Sequence, residues 1–206
     1  QQLQSHGVPL TWVHVVPDDL AAIDEAIQTE LARRRPRLIL TSGGIGSTPD
    51  DITFEAVAAS LGLDVVEDAG LSARLDGIVD WTREQGFDVD DRYIWHLKRM
   101  ARVPAGSRLL QHPDIWVPAV AIDVDGGSNA EGATVVILPG VPAEFRRLLR
   151  EVVEPTLIAG RNPIPTVVEI EHAYPESVLN LTFAELSDRY PNVALGSYPG
   201  DPMIVR

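Results

Sequence analysis

Apolar positions along this chain follow two rhythms, the 3.6-residue period of helices and the short unbroken runs of buried strands. Leu20, Ile23, Ile27 and Leu31 recur at helical spacing and predict a helix over residues 18–34. Phe54, Val57, Ala58 and Leu61 do the same and predict a helix over 49–61, with Gly62 as its stop. Between them, residues 37–40 form a short apolar run after a proline, suited to a strand buried on both faces. Residues 10–16, 117–122 and 133–138 also read as strands, and 142–153 as a helix with Pro142 in its first turn. Residues 71–101 read as a helical excursion in which Trp81, Phe87, Tyr93 and Trp95 are expected to pack, while His96 and Lys98 are expected on the surface. A Pro/Gly/Asn-containing linker at 155–165 precedes a strand at 166–172, a helix at 177–190 and a strand at 193–197.

Strand–helix alternation of this kind predicts a three-layer α/β/α domain with a mostly parallel sheet over residues 1–160, followed by a small α/β lobe over 161–206. Loops that follow parallel strands emerge on one edge of the sheet. Asp18, residues 42–51 and residues 139–142 are therefore expected to converge.

The segment from Thr41 to Asp51 carries the chemistry. Glycines at 43, 44 and 46 let backbone approach a ligand closely, and a following helix start offers N–H donors. Thr48 reads as the helix N-cap, Pro49 as its first residue, and Asp50 and Asp51 as first-turn carboxylates. The two aspartates either complement the helix dipole only, or Asp51 joins Asp18 in holding a divalent cation such as Mg²⁺ against a phosphorylated ligand. In the second reading the Gly43 to Ser47 backbone cradles a diphosphate. The chain has no Walker A lysine loop, no complete Rossmann fingerprint, no HExxH and no GxSxG.

Ser42-Gly43-Gly44-Ile45-Gly46, then Asp51-Ile52-Thr53-Phe54-Glu55-Ala56, resembles the GGxGxxxxDxTxEA signature of the molybdopterin-binding domain family. That family includes MoaB, Mog, the CinA competence-damage proteins and the N-terminal domain of eukaryotic FAD synthetase. Val15-Val16-Pro17-Asp18-Asp19, Leu138-Pro139-Gly140-Val141-Pro142-Ala143-Glu144-Phe145 and Gly196-Ser197-Tyr198-Pro199 resemble the VxDD, LPGVPxEF and GSYP steps of its CinA and FAD-synthetase branch. The resemblance implies a molybdopterin- or nucleotide-binding domain, with hydrolysis of nucleotide diphosphates such as ADP-ribose or FAD as the leading activity. A binding module without turnover and a non-catalytic oligomerisation domain are the alternatives. It implies Asp18 and Asp51 as catalytic and metal-holding residues. It also implies Ser42, Gly43, Gly44, Gly46, Ser47, Thr48, Pro139, Gly140 and Val141 as substrate-binding ones. Ser47 stands where a proline is usual, and residues 111–116 replace a glycine-rich NPxGxAPG-like stretch. The family has an earlier strand with a GTExxxG-like loop, which this chain is expected to lack.

Composition narrows the partners. Among 206 residues, 45% are hydrophobic and 23% charged, with no cysteine and a net charge of −13. Thiolate chemistry and disulfides are thereby excluded. The acidic balance argues against nucleic acid, whose binding relies on Lys and Arg, but leaves a small phosphorylated ligand held by backbone amides. Arg33, Arg34 and Arg35, the one basic run, suit the C-terminal end of a helix. No apolar run is long enough to span a membrane and no signal peptide is visible, so a cytoplasmic location is the default; a homo-oligomer is expected.

Overall fold

The computed structural model describes residues 2–33, 37–125, 132–160, 166–198 and 203–205. Two compact units divide the chain, Gln1–Asn162 and Pro163–Arg206. In the first, α1 (Gln2–Ser5), α2 (Leu20–Leu31), β1 (Arg37–Ser42), α3 (Thr53–Ser60), β2 (Val65–Glu67), α4 (Ala69–Glu84) and α5 (Asp91–Lys98) are followed by a 3₁₀ turn, Arg99–Ala101. Then come β3 (Arg102–Pro104), β4 (Arg108–His112), β5 (Ile115–Val124), β6 (Ala133–Leu138), α6 (Pro142–Leu148) and a π-helical stretch, Leu149–Ile158.

The central sheet has the order β1-β6-β5-β4. Its side chains alternate between two cores, as the pleat requires. Val135 and Ile137 of β6, with Val120 and Ile122 of β5, face α2, α3, α4 and α5. Val136 and Leu138, with Ala119 and Ala121, face α6 and the π-helical stretch. All eight are buried, and each valine, leucine or isoleucine among them contributes about 1.5–3 kcal/mol by leaving water. This two-sided burial is what makes the fold a three-layer α/β/α sandwich. Aspartates open three of the helices: Asp19, Asp68 and Asp90 accept hydrogen bonds from the N–H groups of Ala22, Leu71 and Tyr93.

The structure revises several details. β1 and β6 pair in parallel, but β5 and β6, and β4 and β5, pair antiparallel. The connections from β4 to β5 and from β5 to β6 are too short for the long crossover that a parallel return needs. Residues 10–16 are not a strand. They form no ladder with any described strand, and Val13 and Val15 are 73% and 95% exposed. β-propensity without a partner strand does not make a strand. The segment is held instead by side chains: His14 Nε2 lies 2.9 Å from Glu30 Oε1, and the Arg33 guanidinium sits 4.0 Å above the Trp12 ring.

Trp81, Phe87 and Trp95 are exposed, and Tyr93 alone of the four aromatics packs against the core. Lys98 is not a free surface residue: its ammonium donates to Ser72 Oγ at 2.6 Å and pairs with Asp76 at 2.7 Å, tying α5 to α4. Pro155 does not begin a linker but lies inside the π-helical stretch. Burial of Leu157 and Ile158 in the second core outweighs the hydrogen bond that proline removes. Arg34, Arg35 and the 126–129 turn fall outside the described residues.

The second unit holds β7 (Ile170–His172), α7 (Glu176–Arg189), β8 (Ser197–Tyr198) and β9 (Met203–Val205), with both pairings antiparallel in the order β7-β9-β8. These strands are shorter than the apolar runs suggest, and α7 buries no residue fully. Among the described residues, no helix is long and apolar enough to cross a membrane.

Candidate functional site

Parallel pairing of β1 and β6 places Ser42 opposite Leu138, so the segments that follow leave the sheet side by side. They are fastened at once. Gly43 N–H donates to the Leu138 carbonyl at 3.1 Å, and Ser42 Oγ donates to the Pro139 carbonyl at 3.3 Å. Gly43 and Gly140 meet backbone to backbone, since a Cβ on Gly140 would lie 3.1 Å from Gly43 Cα. Pro139 is buried beneath this contact, while Gly140 and Val141 are exposed at its rim.

The chain then turns sharply. Gly43 and Gly44 have φ of +96° and +67°, the left-handed region that glycine enters without penalty. Thr53, at the start of α3, locks this turn: its hydroxyl donates to the Gly43 carbonyl and its N–H to the Gly44 carbonyl, both at 2.9 Å. A Cβ on Gly44 would overlap Thr53 Oγ1 and lie 3.4 Å from Asp18 Oδ1. Asp18, placed just before α2, therefore sits beside the glycine loop, and Asp18, Gly43, Gly44 and Gly140 share one edge of the sheet.

The start of α3 differs from the sequence expectation. The helix begins at Thr53 rather than Pro49, and Thr48 is not its N-cap. Residues 48–51 close a turn of their own, with Asp51 N–H donating to the Thr48 carbonyl at 3.1 Å. The Asp51 carboxylate folds back and accepts from Thr48 N–H at 2.9 Å and Thr48 Oγ1 at 2.5 Å. It also accepts from Gly46 N–H. Local bonding of this kind competes with helix and wins here. Asp51 is thus a brace of the loop rather than a dipole partner in a helix turn.

Burial pushes the Asp51 carboxyl up, but the donors from Thr48 and Gly46 and the charge of Arg99 outweigh it, so its pKa lies below the ordinary value. The depressed value means that the brace is complete above the unfolded-state pKa and is lost as pH falls through the folded one. Sequence reading passed over Arg99. Its guanidinium donates to the Thr48 carbonyl at 3.1 Å and the Asp51 carbonyl at 2.7 Å, and pairs with Glu55 at 3.2 Å. A lone arginine after a helix carries no sequence signal for this role, because Thr48 lies 51 positions away.

The Asp18 carboxylate faces the glycine loop and has no hydrogen-bond partner among the described residues. Asp51 is already engaged with backbone. Among the described residues, no group of three His, Cys, Asp or Glu side chains gathers for a metal. Ligand phosphate oxygens and water complete such a shell in nucleotide sites. The 111–116 stretch forms the end of β4, a tight turn and the start of β5. Arg74 pins it, donating to Gln111 Oε1 at 2.6 Å and to the Trp116 carbonyl at 2.9 Å.

A family model described as "Probable molybdopterin binding domain" matches residues 1–159. A CinA-like protein of Myxococcus xanthus is 30% identical over 197 residues, covering 88% of this chain and 40% of that protein. A CinA-like protein of Thermosynechococcus vestitus is 29% identical over 204 residues, covering 94% and 44%. The chain thus spans less than half the length of these relatives. Among solved structures, CinA of Thermoplasma acidophilum, titled a protein of unknown function, superposes with a TM-score of 0.56 at 30% identity, over 74% of this chain and 80% of that one. On its sequence match and its fold together, this chain belongs to the molybdopterin-binding domain family and resembles its CinA-like members.

Proposed function

We propose that the glycine-loop edge binds the phosphate groups of a nucleotide- or pterin-type small molecule, and that with a divalent cation it hydrolyses a nucleotide diphosphate of the ADP-ribose or FAD kind. The observation that carries this reading is the meeting of the Gly43–Gly44 turn, Asp18 and Gly140 on one edge. Gly43, Gly46 and Thr48 already spend their N–H groups within the protein. The amides of Gly44, Ile45 and Ser47 are the ones offered to a phosphate, and two left-handed glycines let it come close. Asp18 would hold the cation, which would supply charge neutralisation. In the hydrolysis a water oxygen bonds to one phosphorus, the bridging P–O bond breaks, and two phosphate monoesters leave. Engagement of Asp51 with its own loop favours a second reading, binding without turnover.

The experiment is titration calorimetry with ADP-ribose and with FAD, followed by chromatography of the products, each with Mg²⁺ and with chelator. Metal-dependent release of AMP supports the full proposal. Binding without release leaves only the binding module, and no binding of either compound removes both. Asp51→Asn should fold but bind more weakly. Thr48 N–H and Thr48 Oγ1 both donate to one carboxylate oxygen, and an uncharged amide oxygen accepts them more weakly, so about 1–3 kcal/mol of loop bracing is lost. Unchanged affinity in that variant would show that the Asp51 brace is irrelevant to binding.

A further inference from the structure

We propose that Arg99 is the positioning residue of this site: its guanidinium holds the 48–51 turn in the shape in which the loop amides meet a phosphate. The inference rests on the reading that the glycine loop binds such a ligand. Thr48, Pro49 and Asp50 are exposed, so burial does not fix the turn. Among the described residues, Arg99 supplies its only hydrogen bonds from outside the loop and α3, one to the Thr48 carbonyl and one to the Asp51 carbonyl. The arginine is itself firmly placed. Its side chain is 12% exposed, and Leu97 and Ala101 on either side are buried in the first core. Glu55, in the first turn of α3, pairs with the same guanidinium.

The geometry requires an arginine. A planar guanidinium donates in two fixed directions at once, whereas an ammonium is a point charge on a flexible stem. Holding the Thr48 and Asp51 carbonyls fixes the peptide planes at both ends of the turn. That sets the direction of the Asp51 carboxylate, which in turn ties Gly46 and Thr48 N–H. The chain of contacts runs from the core through Arg99 and Asp51 to the glycine loop. Arg99 contacts no position that a ligand is proposed to occupy, so it acts through the loop and not on the ligand.

The test compares the unsubstituted chain with Arg99→Lys and Arg99→Met. The readouts are ADP-ribose affinity by calorimetry, amide hydrogen exchange across residues 44–53 and melting temperature. Both variants should bind ADP-ribose about tenfold or more weakly, the loss expected for one to two charged hydrogen bonds. Exchange should quicken at 44–53 and stay unchanged in β5 and β6. If Arg99→Lys keeps the parent affinity and exchange, charge alone suffices and the bridging role is wrong. If exchange quickens throughout the sheet in both variants, Arg99 is a general structural tie and the proposal also fails. Glu55→Gln, which leaves both carbonyl contacts in place, should change affinity by less than about threefold; a loss equal to that of Arg99→Met would overturn the assignment to the carbonyls. Should the unsubstituted chain bind neither ADP-ribose nor FAD, the phosphate reading fails and takes this one with it. Binding by the parent and both variants alike removes the Arg99 proposal only.

Discussion

Gly44→Val is expected to abolish measurable ligand binding and to lower stability at the same time. Two separate costs meet at this position. The backbone φ of +67° is one that β-branched residues avoid, at about 1–3 kcal/mol. The new Cβ would also overlap Thr53 Oγ1, the atom that fastens the loop to α3, and forced overlap adds about 1–3 kcal/mol. Relief of that overlap moves either Thr53 or the loop, and both hold the edge where Asp18 and Gly140 meet. Gly62 supplies the control. Its φ is +66°, but nothing lies within 4 Å of a Cβ placed there. Gly62→Val should therefore show backbone strain with ligand affinity intact. Calorimetry and thermal melts on the two variants separate the effects. Equal loss of affinity in both would mean that binding tracks global stability and that the loop has no special contact with ligand.

Glu30→Ala is expected to cost about 3 kcal/mol, the low end for breaking a buried ion pair because its partners keep some contact with water. Glu30 is 7% exposed. It accepts from His14 and from Arg33 at 2.9 Å each and from Arg37 at 2.8 Å. These contacts join three parts of the first unit: residues 8–17, the end of α2 and the start of β1. Without the carboxylate, Arg37 keeps a charge close to the core, where its Nε already lacks a partner among the described residues. Burial raises the Glu30 carboxyl, but hydrogen bonds from His14 and Arg33 and the charges of Arg33 and Arg37 outweigh it and lower its pKa. The sign follows directly. Stability from Glu30 is fully present above its unfolded pKa and disappears as pH falls through the folded value. Chemical denaturation at neutral pH and in acid should therefore show a gap between parent and Glu30→Ala that closes on acidification. A gap that stays constant with pH would assign the loss to packing alone.

Much of the frame was legible in residue order. Periodicity placed α2 within a few residues of its observed bounds, and short apolar runs marked β1, β5 and β6. These elements satisfy themselves: a helix closes its own hydrogen bonds, and a run buried on both faces shows its burial in every residue. The Ser42-to-Gly46 and Leu138-to-Val141 motifs also marked the two segments that meet. Glycines with left-handed φ leave a trace in sequence because other residues tolerate that conformation poorly.

Decisions that depend on a partner were hidden. Residues 10–16 have the composition of a strand but no described strand beside them, so side-chain contacts with Glu30 and Arg33 hold them instead. Pro155 has the composition of a breaker, yet burial of Leu157 and Ile158 carries the helical stretch past it. Thr48 to Asp51 have the composition of a helix start, but the Asp51 carboxylate captures Thr48 N–H first and delays the helix to Thr53. Arg99 belongs to the same class, because a hydrogen bond spanning 51 positions leaves no periodicity to read. Sequence alone determined the helix at α2, the buried runs at β5 and β6 and the bend at Gly43 and Gly44. The tertiary structure decided which polar groups satisfy one another, since pairing energy depends on distances that only the folded chain sets.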